Sequence, residues 1–411
     1  MGDSLKRQHG TSSRVVSIAN KDRSAILLGG KSPDAAYWMD TGAFVSSRYY
    51  RTELPGWAAR FNAQGRAEQT FGHRWDLLLE PSVYAAVAGP DDAPGEDGDW
   101  GLGTTFPKTI DGGRREIGRA FYEAFELSPG ASEILVDFAL AAMVAENLGR
   151  HDTPDLLCLG FSQIDFLGHA FGPDSVEMMD AVLRLDRQLA RLLTFLDQHV
   201  GEGNYLVVLT ADHGVAPLPE RLDNQEPPVP HGRINWRAIE TELDATLTGA
   251  SASLDKRWFR RDGMGFHLLP DVLKEEQLSH SDAEKRLQQA LRARGEFKAV
   301  FTRTELLSGQ SLGPLGNAVR LSYHTRRSPD VVYVLNPYFV DSRNSGSNHG
   351  TPYDYDNHVP LLWYGRGIPQ GIQEPRRVAI QDIAPTLAAL LQVPRPPQSA
   401  GNNLFAERGN E

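Results

Sequence analysis

Residues 205–214 read YLVVLTADHG and give the clearest indication of the fold. The first six residues form a short apolar run, which is typical of a strand buried on both faces of a parallel sheet. Asp212 and His213 follow directly, and Gly214 permits the sharp exit that the end of such a strand requires. An ionisable pair beside a buried strand is costly unless a metal or another partner compensates. The stretch therefore predicts a strand that ends in a functional site.

Four further apolar runs have the same character, and long helical patterns separate them. The runs are Val15–Ala19, Asp155–Gly160, Val331–Leu335 and Val359–Tyr364. The helical patterns are Ala131–Leu148, Ser175–His199 and Ile383–Leu391, and the second has a candidate capping box in Asp174 and Glu177. This alternation predicts an α/β fold with a mainly parallel central sheet flanked by helices.

Residues 217–330 differ from the rest of the chain. They begin with a proline-rich stretch and continue with two polar helical patterns, Arg237–Leu247 and Ser281–Arg294. We interpret this region as an inserted cap. Residues 1–216 and 331–411 then form the metal-binding core.

The composition narrows the classes of function. Lys and Arg number 42 against 53 Asp and Glu, and the net charge of −11 argues against binding to nucleic-acid backbones or anionic membranes. Cys158 is the only cysteine, which excludes an internal disulfide and a four-cysteine zinc site. We expect no membrane helix, which needs about 20 apolar residues, and no signal peptide in MGDSLKRQHG. Gly89–Gly103 is polar and predicts a surface loop. An anionic substrate would need a metal or a few placed cations.

A second candidate site follows the predicted strand at 155–160. The stretch DFLGHAFGP (165–173) puts Asp165 and His169 four residues apart, so one helical turn would direct both side chains at a single ion. Carboxylate oxygen and imidazole nitrogen are ligands that zinc accepts. Such a pair is also common on helix surfaces, so its weight comes from the other ligand-type residues of the chain.

A third group precedes the last predicted strand, in NSGSNHGTPYDYDNHVPLLWYG (344–365). It contains His349 and His358 together with Asp354 and Asp356. A metal site is one interpretation, and a calcium-like or solvated loop is the other. Ligand-type groups this far apart in sequence suggest a split site of the kind in which two cations, about 4 Å apart, serve phosphoryl or sulfuryl transfer.

A fourth group, Lys21, Asp22 and Arg23, directly follows the predicted strand Val15–Ala19 and Asn20. Near a metal pair, the lysine would hold phosphoryl oxygens as a point charge and the arginine as a fork. An ordinary surface charge cluster is the alternative interpretation.

The stretches DFLGHAFGP, TADHG and NHGTPYDYDNHVPLLWYG together resemble the alkaline phosphatase superfamily. Within it, the chain resembles the bacterial single-chain alkaline phosphatases related to type I phosphodiesterases and nucleotide pyrophosphatases. KDRSAIL followed by AAYWMD is similar to the lysine/arginine segment of the phosphomonoesterase members. The resemblance implies an alkaline phosphatase-like fold with two zinc ions in a complete member. It implies the following roles: one zinc on Asp165, His169 and His349, the second zinc on Asp212 and His213, and phosphoryl contacts from Lys21 and Arg23.

The resemblance favours His349 over His358 as the ligand, because the ligand histidine of the related phosphodiesterases is followed directly by glycine. His358 would then be a neighbour of the site. Family members also have, before the lysine/arginine segment, an aspartate zinc ligand, a threonine nucleophile and a phosphoryl-binding asparagine. Only 20 residues precede Lys21, so we expect the core to be incomplete at its N-terminal end, with one fully liganded zinc. The hydroxyl groups at 11–13 and 104–105 have loop-like contexts and are poor replacement nucleophiles.

The resemblance implies metal-dependent hydrolysis of phosphate monoesters, impaired in this chain because the nucleophile segment is absent. The alternatives are a phosphodiesterase or nucleotide pyrophosphatase and a non-catalytic zinc-binding remnant. The expected partner is a small-molecule phosphate ester. The complete protein is expected to be periplasmic or secreted, and the sequence predicts no oligomeric state.

Overall fold

The computed structural model describes most of the chain: residues 1–248, 257–342 and 344–406. These residues form two compact units. The core unit comprises Met1–Asp212 and the chain from Val359 onward, and the inserted unit comprises His213–His358. The inserted unit extends beyond the predicted range of 217–330 at both ends.

The first segment of the core unit alternates strands with helices, as the sequence predicts. Its strands are β1 (Val15–Ala19), β2 (Ala35–Asp40), β3 (Ala43–Val45), β4 (Arg74–Trp75), β5 (Lys108–Thr109), β6 (Leu156–Gly160) and β7 (Leu206–Thr210). Its helices are α1 (Gly2–His9), α2 (Asp22–Gly29), α3 (Gly56–Asn62), α4 (Pro81–Val87), α5 (Arg119–Leu127), α6 (Pro129–Ala145), α7 (Gln163–Phe171) and α8 (Val176–Leu196). The predicted strands and helices of this segment are confirmed, with ends that shift by a few residues.

A mixed sheet with the order β3-β2-β1-β6 lies at the centre of this segment. β2 and β6 pair with β1 in parallel, and β3 pairs with β2 antiparallel. Every residue of β1 is buried, which explains its continuous apolar run. Ala19 lies beside Gly160, and a side chain at 160 would meet the Cβ of Ala19 at 2.9 Å. The residues that follow β1 and β6 therefore emerge side by side at one edge of the sheet.

Aromatic packing fixes α6 against this sheet. Phe138 of α6 stacks on Phe44 with ring centroids 3.9 Å apart and meets the edges of Tyr37 and Phe61 at 5.3 and 5.1 Å. Such contacts add about 0.5–1.5 kcal/mol each to the burial of the rings. The first turn of α6 is thus held where it can contact the residue that follows β1.

The beginning of α8 differs from the predicted capping box. The N-cap is Ser175, whose hydroxyl accepts a hydrogen bond from the Met178 N–H at 3.1 Å. Glu177 instead forms a fully buried ion pair with Lys108 at 2.7 Å. The capping prediction was wrong because the sequence does not reveal a cation that lies 69 residues away.

The loop at 89–103 is partly buried, contrary to its prediction as a surface loop. It contains only a short 3-10 turn at Gly98–Trp100, but Ala93, Glu96 and Leu102 are buried, and Leu102 belongs to the main hydrophobic core. Composition alone missed the few apolar side chains that attach this polar segment to the core.

The inserted unit has its own sheet and core. Its strands are β8 (Gly232–Arg233), β9 (Phe259–Asp262), β10 (Gly265–Leu268), β11 (Phe297–Thr302), β12 (Val331–Leu335) and β13 (Phe339–Val340). Its helices are α9 (Trp236–Thr248), α10 (Pro270–Glu275), α11 (His280–Arg292), α12 (Arg303–Leu307), α13 (Gly313–Ser322) and α14 (Asp354–Asn357). β12 was predicted as a strand of the central sheet, but it lies in an antiparallel sheet with the order β11-β12-β10-β9.

The chain then returns to the core unit. It adds β14 (Leu361–Gly365), which pairs antiparallel with β7, and α15 (Ile383–Leu390), which confirms the last predicted helix. Among the described residues no single helix has both the length and the apolar character of a membrane span. α5 and α6 together, bent by 81°, meet these criteria only by length and composition.

Candidate active site

Asn20 organises the edge of the sheet at which β1 and β6 end. It is buried, its amide donates to the Ala131 carbonyl at 3.3 Å, and its side-chain oxygen accepts from the Ser162 N–H at 3.1 Å. The N–H of Lys21 donates to the Ser162 hydroxyl at 3.3 Å. These bonds connect the end of β1 to the beginnings of α6 and α7. Sequence analysis missed Asn20, because its partners lie more than 100 residues away.

Lys21, Asp165 and His169 come together at this edge. The Lys21 ammonium contacts Asp165 Oδ2 and lies 4.3 Å from the centroid of the Phe166 ring. The other carboxylate oxygen, Oδ1, lies 3.5 Å from His169 Nε2, one turn further along α7. The predicted pairing of Asp165 with His169 on one helical turn is thus present in α7.

Two hydrogen bonds of the Gln163 side chain hold the beginning of α7 in place. Gln163 is buried, its side-chain oxygen accepts from the Ser132 hydroxyl at 2.6 Å, and its amide donates to the Leu127 carbonyl at 3.1 Å. Gln163 was not predicted to have a role. Because α7 cannot rotate without breaking these bonds, Asp165 and His169 keep their orientation.

Other charges near Lys21 shape the electrostatics. Burial raises the pKa of Glu126 to about 7, the charge of Glu123 adds to this shift, and Lys21 opposes it. Arg23, in the first turn of α2, is exposed, and its N–H donates to the Asp22 carboxylate at 2.6 Å. Lys21 and Arg23, on either side of Asp22, therefore give the core unit one partly buried ammonium and one exposed guanidinium.

In the inserted unit, His213 and His349 lie face to face. Their ring centroids are 3.5 Å apart and their planes are inclined by 14°. His213 Nδ1 lies 2.8 Å from the Gly214 carbonyl, which can only accept, so Nδ1 carries the proton and Nε2 has the lone pair in the neutral ring. The predicted preference for His349 over the exposed His358 stays a prediction about ligation.

Close backbone contacts bring these two histidines together. The Gly214 N–H donates to the Asp356 carbonyl at 2.8 Å, and a Cβ at 214 would lie 2.1 Å from the Tyr355 carbonyl oxygen. Asp356 is buried and its Oδ2 accepts from both the N–H and the hydroxyl of Thr351, at 2.6 and 2.7 Å. Gly214 is therefore required by a close approach, and Asp356 fixes the turn that follows His349.

The remaining sequence candidates have these positions. Asp212 is exposed, two residues beyond the end of β7. Ser13 is buried at the beginning of β1, where its hydroxyl donates to Thr153 at 3.2 Å. β1 rises about 3.3 Å per residue, so Thr11 to Ser13 lie a full strand length from Lys21. Thr104 and Thr105 lie in irregular structure.

The donor set fits a divalent metal. Two ligands of a tetrahedral zinc ion at about 2.1 Å lie about 3.4 Å apart, close to the 3.5 Å between Asp165 Oδ1 and His169 Nε2. Lys21 on Asp165 Oδ2 shows that the carboxylate already attracts a cation.

The chain matches the family model described as "Type I phosphodiesterase / nucleotide pyrophosphatase" over residues 3–357. The chain belongs to this family. It is 32% identical to the alkaline phosphatase PhoV of Synechococcus elongatus, over 97% of this chain and 71% of the relative. It is 30% identical to the alkaline phosphatase PafA of Elizabethkingia meningoseptica, over 95% of this chain and 70% of the relative. The crystal structure of wild-type PafA superposes with a TM-score of 0.85 at 28% identity, covering 98% of this chain and 76% of that one.

These matches confirm the predicted relationship to the alkaline phosphatase superfamily and the α/β fold. By family, the protein is a phosphoric ester hydrolase of the alkaline phosphatase type. The family implies a metal cofactor and a phosphate ester as substrate. The identity of the metal, the number of ions and the roles of individual residues stay predictions.

Proposed function

We propose that the protein hydrolyses phosphate monoesters at a two-zinc site. Asp165, His169 and His349 would bind one zinc, as the family motifs suggest. Asp212 and His213 would contribute to the second. Ligand chemistry and the order of the motifs support this assignment.

The observation that carries the proposal is the contact between Lys21 and Asp165. The Lys21 ammonium, which can bind phosphoryl oxygens, contacts one carboxylate oxygen of Asp165. The other carboxylate oxygen lies 3.5 Å from His169 Nε2. When bound, the zinc ions would supply electrostatic stabilisation of the attacking and leaving oxygens. Lys21 would hold a phosphoryl oxygen as a point charge, and Arg23 would bind two through its fork.

The same two cations favour monoesters over diesters. A phosphate monoester is a dianion near neutral pH and a diester is a monoanion, so extra positive charge stabilises the monoester more. The family name supplies the alternative, a phosphodiesterase or nucleotide pyrophosphatase. Both activities would use the same metal ligands, so the cations decide between them.

We further propose that a polypeptide of residues 1–411 hydrolyses esters slowly, at least a few orders of magnitude below a complete relative. Covalent catalysis needs an activated hydroxyl beside the metal ligands. The hydroxyls at 11–13 lie at the opposite end of β1 from Lys21. A non-catalytic, zinc-binding protein is the limiting form of this proposal. We also propose that the protein is periplasmic or secreted, which fractionation of cells that express its gene would test.

The test compares an aryl phosphate with a bis-aryl phosphate as substrates of purified protein loaded with zinc. The ratio of the two kcat/KM values should favour the monoester in the wild type, and Lys21→Met should lower that ratio about tenfold or more. Lys6→Met is the matched control. Lys6 forms an ion pair with Asp34 at the beginning of β1, the end opposite to Lys21. The exposed fractions of the side chains are similar in the two pairs: 16% for Lys6 and 12% for Asp34, and 14% for Lys21 and 19% for Asp165.

A ratio that favours the diester, or one that Lys21→Met leaves unchanged, would overturn the monoester assignment. A rate equal to that of PafA measured in parallel would overturn the proposed impairment. Zinc content measured by elemental analysis separates the remaining possibilities, because a non-catalytic remnant would bind zinc without turnover.

A further inference from the structure

A second group of metal-type ligands lies in the inserted unit. His280 Nε2 is 3.0 Å from Asp330 Oδ1 and 3.5 Å from Glu284 Oε1. One ligand atom from each of the three residues lies within 4.8 Å of the others. His280 and Glu284 are one turn apart at the beginning of α11, and Asp330 directly precedes β12. The group therefore joins a helix to a strand of the sheet.

Burial makes this group unlike a surface ion pair. Glu284 is only 1% exposed, and its Oε1 makes no hydrogen bond within the part of the chain that the structure describes. The Asp330 side chain is 14% exposed. An ionised carboxylate in such a position needs a compensating cation. One proton on His280 Nε2 would have to serve two carboxylate oxygens and would leave a net negative charge.

Both carboxylates are oriented towards the histidine by bonds to their other oxygens. Glu284 Oε2 accepts from the Thr304 hydroxyl at 2.6 Å, and Asp330 Oδ2 accepts from the Leu268 N–H at 2.9 Å. Ligands whose second oxygen is fixed in this way are typical of metal sites. Each carboxylate thus keeps one oxygen directed at His280.

The geometry points to a divalent metal site, and we propose that His280, Glu284 and Asp330 bind one zinc ion. The separations of 3.0 and 3.5 Å from His280 Nε2 approach the 3.4 Å or so between ligands of a tetrahedral zinc. One nitrogen and two carboxylate oxygens suit zinc better than calcium or magnesium, which take mainly oxygen ligands. His280 is 45% exposed, so water can complete the coordination.

The bound ion would fasten the beginning of α11 to the entry of β12 and so stabilise the inserted unit. The site uses none of the residues assigned to phosphoester hydrolysis. Its failure and the failure of the proposed function are therefore distinguishable.

The test measures zinc per chain by elemental analysis after dialysis of the full chain against a fixed concentration of free zinc. His280→Gln and Glu284→Gln should each bind one zinc fewer than the wild type. Because Gln at 284 keeps the size and an acceptor oxygen, this variant guards against a general loss of folding. Cobalt(II) gives a second readout, since the visible bands of a low-symmetry site should decrease in both variants.

His267→Gln is the matched control. His267 Nε2 lies 3.7 Å from Asp262 Oδ2 in the same unit, and the metal-type groups of three among the described residues do not include this pair. The control should bind as much zinc as the wild type. Equal zinc content in all four proteins would overturn the proposal and leave His280 as the charged partner of an ion pair. A loss in His267→Gln as large as in His280→Gln would overturn it as nonspecific binding to histidine.

Discussion

The two ends of β1 have similar charged groups but opposite electrostatic balance. At its beginning, Asp34 accepts from Lys6 at 2.9 Å, from Arg14 at 3.0 Å and from the Val15 N–H at 2.8 Å. Burial alone would raise the pKa of Asp34, but these bonds, led by that from Lys6, hold the pKa below its ordinary value. The charge at this end is fully compensated.

At the other end the negative charges outnumber the nearby ammonium. Lys21 contacts Asp165, and Glu126 is so poorly compensated that burial raises its pKa to about 7. Groups with perturbed pKa values are frequent at functional sites, because a ligand can supply the missing interaction. One end of the strand is therefore built for stability, and the other leaves negative charge that a bound metal cation can compensate.

The largest effect is expected at the compensated end. Asp34→Asn should lower the free energy of unfolding by about 2–3 kcal/mol at pH 7, because it leaves Lys6 and Arg14 without their partly buried partner. The pKa of Asp34 is lowered on folding, so its contribution is complete above its ordinary pKa of 3.8 and is lost as the pH falls through the folded value. Urea unfolding of both proteins should therefore converge at low pH.

Asp92→Asn is the control for this experiment, because Asp92 is exposed in the loop at 89–103. It should change the free energy of unfolding by less than about 0.5 kcal/mol. An Asp34→Asn variant as stable as Asp92→Asn at pH 7 would contradict the view that this end of β1 contributes to stability.

The next effect has the opposite sign and lies at the other end. The pKa of Glu126 is raised on folding, so the wild type loses stability as the pH rises from about 4.5 to about 7. Glu126→Gln removes this loss. The variant should be more stable than the wild type at pH 8 by about 1–2 kcal/mol, allowing for partial solvent exposure, and close to it at pH 4.5.

Glu123→Gln sharpens this prediction. Glu123 raises the pKa of Glu126 and is itself paired with Arg119 at 2.7 Å, so its removal should give a smaller gain at pH 8. If Glu126→Gln gained no stability between pH 4.5 and pH 8 relative to the wild type, the assignment of an uncompensated charge to this end would be wrong.

Strands with a continuous apolar run and long helices with a periodic apolar face could be predicted to within a few residues of their ends, whereas short strands such as β3 and β9 could not. The sheet to which a strand belongs could not. The apolar run of β12 is equally suited to a buried strand of a parallel sheet and to the antiparallel sheet in which it lies. Pairing depends on contacts between distant segments, which periodicity does not encode.

The candidate site shows the same division. Asp165 and His169 were predictable because one turn of α7 holds both. Asn20 and the stacking of His213 on His349 were not, since their partners are more than 100 residues away. The approach of the Tyr355 carbonyl gives the reason for a glycine at 214, and the sharp exit from β7 at this residue stays a prediction.

The smallest effect is expected at the end of β1 that precedes Lys21, and it tests how this lysine affects metal binding. In Lys21→Met the ammonium no longer competes for Asp165, so the affinity of the proposed site for zinc should rise about fivefold, or about 1 kcal/mol. A chelator competition titration in the His280→Gln background would measure this without a contribution from the separate site proposed at His280, Glu284 and Asp330. Lys6→Met should leave the affinity unchanged. A lower affinity in Lys21→Met would mean that the lysine instead orients Asp165 for the metal, because the contact with Oδ2 leaves Oδ1 towards His169.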